Sequence, residues 1–146
     1  MTDAKSNSYE TALLSLIFNA TSFATIAQDS SGGGVATLQV ALHTASPTDA
    51  ASSGMGTAEA TYTSYARVAT ERTSTGWTVS GSTARPTADI SFPQATGGTD
   101  TITHFSVGLS TNTTADILYY GTVTPNIAVS NGVTPRLSTD TVITES

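Results

Sequence analysis

The sequence contains no cysteine and few basic residues, namely five against eleven acidic ones in 146. Without cysteine, neither disulfide bonds nor thiolate metal sites can form. The formal charge of −6 argues against a nucleic-acid-binding surface, because such surfaces contact phosphate groups through many lysines and arginines. We therefore expect no nucleic-acid partner.

Long hydrophobic runs are also missing. No apolar stretch approaches the roughly 18 residues that a membrane-spanning helix requires. The first ten residues, MTDAKSNSYE, lack the hydrophobic segment of a secretory signal peptide. We expect no membrane partner, and the chain length is typical of one domain.

Residues with catalytic or metal-binding chemistry are scarce. His43 and His104 are the only histidines, and neither lies in a cluster of acidic or histidine residues, so both are more typical of strands than of metal sites. There is no GxSxG motif and no cysteine nucleophile. A pair of carboxylates for glycoside hydrolysis stays open, because such pairs meet in space, but Trp77 is the only tryptophan that could hold a sugar. We expect no enzymatic activity, no cofactor and no bound metal.

Threonine, glycine and serine are abundant instead, with 29 threonines in the chain. Threonine favours strands, and glycine and serine favour turns. The composition predicts an all-β fold, a single-domain antiparallel β-sandwich or jelly roll with one short N-terminal helix. Residues 1–34 are predicted to form an N-terminal arm with the helix and a glycine-rich connector, and residues 35–146 the β-sandwich domain.

The clearest supersecondary unit is a predicted hairpin over residues 101–124, with a polar connection at residues 110–116. In its first strand the set containing Phe105 and Val107 is more apolar than the alternate set containing Ile102, which predicts the face that meets the core. The predicted core residues are Phe92, Phe105, Val107, Leu109 and Leu118.

Further strands are predicted from alternating patterns and from turn signals. We expect strands at residues 35–44, 62–73, 75–79, 88–93 and 139–144, with an edge strand at 125–129. Residues 80–86 are predicted to form a loop, residues 51–61 an exposed and mobile loop, and Asn131-Gly132 a turn.

Residues 7–18 have the pattern of an amphipathic helix. Asn7 is predicted to cap it, with Glu10 three residues later as a capping-box partner. An apolar face contains Tyr9, Leu13, Leu16 and Ile17, and Leu14 and Phe18 widen it. This face either closes one end of the sheet or docks onto another chain.

Arg67 is the charged residue that stands out, because Ala66 and Val68 flank it in a predicted apolar strand. Pairing with a carboxylate such as Asp49 or Glu71 would pin a loop, whereas the alternative is a bond between subunits. The candidate subunit or capsid contacts are therefore Tyr9, Leu13, Leu16, Ile17 and Arg67.

Five segments occur in an order that resembles a family of small tailed-bacteriophage virion proteins. They are VALHTASPTDA (40–50), YARVATE (65–71), ADISFPQAT (88–96), ITHFSVGLS (102–110) and ILYYGTVT (117–124). Members of this family are capsid decoration proteins or are labelled phage tail fibre proteins.

The resemblance implies a virion structural protein, in the first place a capsid decoration (cement) protein that binds the major capsid protein on the outside of the head. The alternative that it implies is a tail-fibre or tail-tip component, which could bind carbohydrate through Trp77, Tyr62 or Tyr65. Because a 14.9 kDa chain has enough surface for a stable interface, we also expect a homo-oligomer, with a trimer favoured.

Overall fold

An antiparallel β-sandwich with one helix emerges from the computed structural model, which describes residues 4–19, 36–48, 54–109 and 117–145. The all-β prediction is confirmed, and the arrangement is a sandwich. Within these ranges the helix is α1 (Asn7–Asn19), and the strands are β1 (Ala4–Lys5), β2 (Thr37–His43), β3 (Val68–Glu71), β4 (Trp77–Ser80), β5 (Thr83–Pro86), β6 (Ile90–Ser91), β7 (Asp100–Gly108), β8 (Ile117–Val129), β9 (Arg136–Leu137) and β10 (Ile143–Thr144).

The strands form one large sheet and two small ones. The large sheet has five strands in the order β1-β8-β7-β2-β3, and the small sheets are β10-β5-β4 and β6-β9. All pairs are antiparallel. Residues from all three sheets meet in one apolar cluster, so both small sheets pack on the same face of the large one.

The predicted hairpin is confirmed, because β7 and β8 pair along most of their lengths. Phe105 and Val107 are buried as predicted, and so are Phe92 and Leu118. Leu109 is only half-buried, since β7 ends one residue before it. The hairpin connection at residues 110–116 lies outside the described residues.

Ile102 corrects the predicted alternation, because it is fully buried in the same cluster as Phe105 and Val107. The pairing register with β8 shifts between Ile102 and His104. Ile102 pairs with Ile127, whereas His104 pairs with Thr122, so β8 has more residues than β7 in this stretch. An irregularity of this kind breaks the two-residue period, so a side chain beyond it can return to the face it would otherwise leave.

Residues 125–129 form strand as predicted, but they are the last part of β8 and not a separate strand. Pro125 lies inside the stretch of β8 that the register shift leaves out of the ladder. Proline has no N–H to donate, so an irregular position is where a long strand tolerates it.

The loop predicted at residues 80–86 was wrong. Ser80 pairs with Thr83, so β4 and β5 form a hairpin whose loop consists of Gly81 and Ser82. Gly81 has a positive φ of 58°, a conformation that glycine adopts without steric cost. A Gly-Ser pair between short strands is a recognised hairpin signal, and it was present in the sequence.

Other predicted strands are shorter in the structure, among them the one at residues 88–93, which is reduced to β6. Residues 62–67 precede β3 without joining it, and β10 covers only the end of the predicted strand at 139–144. The turn at Asn131-Gly132 is present, and the N–H of Val133 donates to the carbonyl of Ser130 at 2.9 Å.

The segment predicted to be an exposed, mobile loop is packed where it is described. Met55 is fully buried, and Ala60 is 4% exposed. Met55 packs with Ala41 and Ile117 on the face of the large sheet opposite the main cluster. Met55 therefore covers the second face, whereas Ala60 packs in the main cluster, and small residues alone did not indicate this path.

The N-cap of helix α1 lies one residue earlier than predicted. The Ser6 hydroxyl accepts from the N–H of Tyr9 at 3.2 Å, as an N-cap does, and the Asn7 side chain lies outside the described residues. The same hydroxyl donates to the carbonyl of Ile117 in β8, so the cap also fixes the helix to the sheet.

The strand that precedes the cap belongs to the large sheet, with Ala4 opposite Tyr120 in β8. Residues 20–35, with the glycine-rich connector, lie outside the described residues. The division into an arm and a sandwich domain at residue 34 stays a prediction.

Candidate interaction surfaces

Arg67 and Glu59 form a bidentate ion pair inside the chain. Nε and one terminal nitrogen of Arg67 lie 2.7 Å from the two carboxylate oxygens of Glu59. Hydrogen bonding to Glu59 raises the pKa of Arg67, so the guanidinium stays charged. Pairing with a carboxylate was predicted, but neither partner named for it is the one observed. Asp49 lies outside the described residues, and Glu71 instead accepts from the Thr75 hydroxyl at 2.6 Å.

Tyr65 joins this pair to the large sheet. Its hydroxyl donates to Glu59 at 2.9 Å and accepts from the N–H of Leu42 at 3.1 Å. Burial raises the pKa of Tyr65, so the hydroxyl keeps its proton. Because Arg67 and Glu59 are largely buried, the cluster fixes residues 54–60 to β2. An additional contact of Arg67 with another subunit stays a prediction.

His43 forms a second polar cluster under the same segment. It is fully buried, and its Nδ1 lies 2.8 Å from the carbonyl of Thr57. Since a carbonyl only accepts, Nδ1 carries the proton, and Nε2 accepts from the Ser106 hydroxyl at 2.7 Å. Burial lowers the pKa of His43, which favours this neutral form.

His104 is the direct neighbour of His43 across the β2–β7 ladder. Its Nδ1 lies 2.8 Å from the Thr103 hydroxyl, and partial burial lowers its pKa. Both histidines are strand residues, as predicted. No group of three or more His, Asp or Glu side chains in the described ranges could hold a metal ion, and the expectation of no metal stays a prediction.

A mostly apolar cleft of about 690 Å³ separates the large sheet from the β10-β5-β4 sheet. Leu38, Val107 and Leu118 line it on the side of the large sheet. Trp77, Val79 and Ile143 line it on the other side, with Arg72 and Glu145 among its few charged residues. Val79 is 72% exposed, so the small sheet does not close over this side of the core.

The aromatic residues considered for sugar binding do not form one exposed platform. Tyr62 is buried, and its hydroxyl donates to the carbonyl of Pro93 at 3.0 Å. The Tyr65 ring stacks on Phe92 with ring centroids 6.4 Å apart. Trp77 stands apart from both and borders the cleft.

A network of four polar side chains holds the start of α1 next to this cleft. The Tyr119 hydroxyl donates to Glu145 at 2.6 Å, and Lys5 contacts the other carboxylate oxygen at 2.6 Å. The bond from Lys5 lowers the pKa of Glu145. The ring of Tyr9 packs against that of Tyr119 with centroids 5.5 Å apart. The first turn of α1 is thus fixed to β8 and to the C-terminal segment.

The other end of α1 presents apolar side chains to solvent. Ile17 is 63% exposed and Phe18 is 77% exposed. We call these two residues the helix tip. Within the described ranges, no helix combines the length and the hydrophobicity that crossing a membrane requires.

The predicted contact residues therefore fall in different places. Tyr9 and Leu13 are half-buried, Ile17 is exposed, and Arg67 lies in the ion pair away from the helix. The side chain of Leu16 lies outside the described residues. Whether these residues contact a subunit or capsid stays a prediction, and Phe18 and Val79 are exposed apolar residues that the prediction did not include.

The sequence matches a protein family over residues 4–145, and the description of that family is Podophage GP4 fiber I protein gp80. A search of curated proteins found no match. Because the family match covers nearly the whole chain, the chain belongs to this family and is a phage fibre or virion structural protein. The predicted resemblance to phage virion proteins is confirmed.

Proposed function

We propose that this member of the family is a structural subunit of the phage particle that acts through its surfaces and has no catalytic activity. The family match over residues 4–145 carries the proposal. The structure supports it with surfaces that suit assembly, because the apolar cleft and the helix tip are both accessible on a chain with few charges. Apolar patches rimmed by polar residues are typical of contacts between proteins.

Within the particle, we place the chain in a fibre. The family is named for a fibre protein, which favours this position over the capsid decoration role that the sequence first indicated. The long β8 and the sandwich built on it suit a rigid module in such an appendage. The partners are then further copies of the chain and the neighbouring fibre or tail proteins.

Capsid decoration is the second candidate, with the major capsid protein as partner. The observations in its favour are the resemblance of the five sequence segments and the acidic charge of −6, which limits adhesion of an outer protein to DNA and to anionic surfaces. A decoration protein that binds only the assembled shell stabilises it by mass action.

The active form is a homo-oligomer, for which we favour a trimer. The accessible surface of one chain is 7441 Å². A stable interface takes about 800 Å² from each partner, which is near a tenth of that surface. Nucleic acid and membrane are not partners in this proposal, because a net negative chain is repelled by phosphate-rich surfaces.

Copy number in purified virions tests the position. Quantitative mass spectrometry against the major capsid protein should find roughly tens of copies per particle for a fibre subunit and hundreds for a decoration protein. Immunogold labelling should then mark the tail end and not the head surface. A non-virion phage protein from the same lysate serves as the control for carry-over. Absence of the chain from particles at the level of that control would overturn the proposal.

A further inference from the structure

The helix tip and the cleft are two apolar surfaces of one chain that do not cover each other. Phe18 is 77% exposed and Ile17 is 63% exposed, so neither fills the cleft of its own chain. Exposed apolar groups of this size in a chain with an open apolar cleft indicate that each has a partner elsewhere. We propose that the helix tip of one copy packs into the cleft of a second copy, as the subunit contact of the homo-oligomer in the proposed function.

The charges of the helix end and of the cleft favour the helix tip as the occupant of the cleft. Residues 11–19 of the helix carry no charged side chain, and the last turn contains no basic residue. The carboxyl end of a helix has a partial negative charge, which a nearby cation stabilises. Arg72 lies at the cleft and supplies that cation to an incoming helix end.

The low charge of both surfaces also limits the electrostatic repulsion between two copies of a chain with a formal charge of −6. Among the described residues that line the cleft, Arg72 and Glu145 are the only charged ones. Like charges that meet across an interface cost binding energy. The tip and the cleft are where two copies can meet with little such cost.

The position of the helix permits exchange between copies. Tyr9 is anchored on Tyr119, which also lines the cleft, so α1 starts at the edge of the cleft of its own chain. Phe18 is nine residues further along, about 13 Å away at the helical rise. A tip that projects this far from an anchored base reaches a neighbour without unfolding its own chain.

The contact joins two different surfaces, so it is head-to-tail. Each copy gives one tip and receives one, and such contacts close into a ring when the rotation between copies allows it. Each copy then buries apolar area twice. Aromatic side chains bury about 150–250 Å² each, so Phe18 is a large part of each contact.

Cysteine pairs test the occupant directly, because the chain has no cysteine of its own. Asn19→Cys, next to the tip so that Phe18 stays in place, and Val79→Cys are made on separate copies of the full chain with different affinity tags. The two proteins are mixed and treated with a short bismaleimide. A covalent heterodimer is expected. The matched control replaces Val79→Cys by Thr122→Cys, an exposed strand residue that is not among those lining the cleft, and should give little heterodimer.

The double variant with both cysteines on one copy separates the possible occupants. A product of one chain length with an internal link would mean that the tip reaches its own cleft, and it would overturn the proposal. The same conclusion follows if mixed single variants do not link, since another virion protein would then be left as the occupant.

A second measurement keeps failure of this contact distinct from failure of the proposed function. Light scattering gives the mass of the unmodified chain and of Phe18→Asp, which should lose at least half of its oligomer at equal concentration while its circular dichroism stays unchanged. If Phe18→Asp keeps the oligomer, the homo-oligomer stands and the tip-and-cleft contact is wrong. The copy number in virions is independent of either result.

Discussion

Two small sheets pack on the same face of the large sheet, and they close it to different degrees. Under the β6-β9 sheet, Ile90, Phe92 and Leu137 are each at most 5% exposed. Under the β10-β5-β4 sheet, Trp77 is only half-buried and Val79 is 72% exposed beside the cleft. We call these the closed half and the open half.

The closed half therefore contributes to folding stability, and the open half contributes to assembly. In the closed half the apolar side chains have partners inside the chain, so substitutions there act on folding. In the open half an exposed apolar side chain such as Val79 has little packing inside the chain, so a substitution there acts on association. The following predictions test this division, beginning with the largest expected effect.

Phe92→Ala should lower the free energy of unfolding by about 3–5 kcal/mol, because it leaves a cavity among fully packed neighbours. Urea denaturation followed by tryptophan fluorescence measures this, since Trp77 is the only tryptophan. Phe18→Ala is the matched control, and at a concentration where the chain is monomeric it should change the free energy by less than about 0.5 kcal/mol. Equal losses in the two variants would contradict the division.

Glu59→Gln should lower the free energy of unfolding by about 1.5–3 kcal/mol, because it weakens charge-assisted bonds from Arg67 and removes the charge that balances a buried guanidinium. The matched control is Glu71→Gln. Glu71 is exposed and bonds only threonine hydroxyls among the described residues, so its loss should cost about 0.5 kcal/mol or less. The idea that the pair fixes residues 54–60 fails if those two variants unfold at the same urea concentration.

Acidification should lower stability through His43. Burial holds its pKa in the folded chain below the ordinary value of 6.5, so the unfolded chain takes up the proton first and stability falls as the pH drops through that value. Glu59 nearby opposes this shift, and Arg67 and His104 add to it. Urea midpoints above and below the ordinary value measure the effect.

His43→Gln should flatten this decline, whereas His104→Gln should keep most of it, because His104 is less buried. A decline of the same steepness in His43→Gln as in the unmodified chain would show that other groups cause it.

Val79→Ser should have the smallest effect on the monomer, a change of about 0.5 kcal/mol or less, because the side chain is already exposed to water. Val107→Ser, on the buried side of the same cleft, should cost at least the burial energy of a valine, about 1.5–3 kcal/mol. Thermal unfolding at low concentration compares the two. If Val79→Ser is as destabilising as Val107→Ser, the open half is closed in solution.

The sequence predicted those parts of the fold that depend on local pattern. The alternation around Phe105 and the apolar pair of Ile90 and Phe92 identified the core face, since a half-buried strand exposes every second residue. The Asn131-Gly132 turn was equally local. The helix was found from its apolar spacing, although the cap lay at Ser6 and not at Asn7.

Other features depend on contacts between distant residues, which local patterns do not encode. Ile102 changed faces because of a register shift that its partner strand produces. Glu59 became the partner of Arg67 because residues 54–60 fold across the large sheet, and small residues gave no sign of that path. The cleft could not be predicted from the sequence, because it arises from incomplete packing between two sheets in the folded chain. The exposed tip could have been noticed, since Ile17 and Phe18 adjoin at the end of the helix.

The irregular stretch of β8 limits edge-to-edge aggregation between copies of the chain. In the described structure β1 pairs with β8 only at Tyr119 and Tyr120, which leaves the rest of the outer edge of this long strand without a neighbour. A regular edge of that length would accept a strand from any other copy and start uncontrolled aggregation. Here the break in register and the missing N–H of Pro125 interrupt the row of donors and acceptors. An incoming strand cannot extend past that point, which limits the joining of copies through this edge.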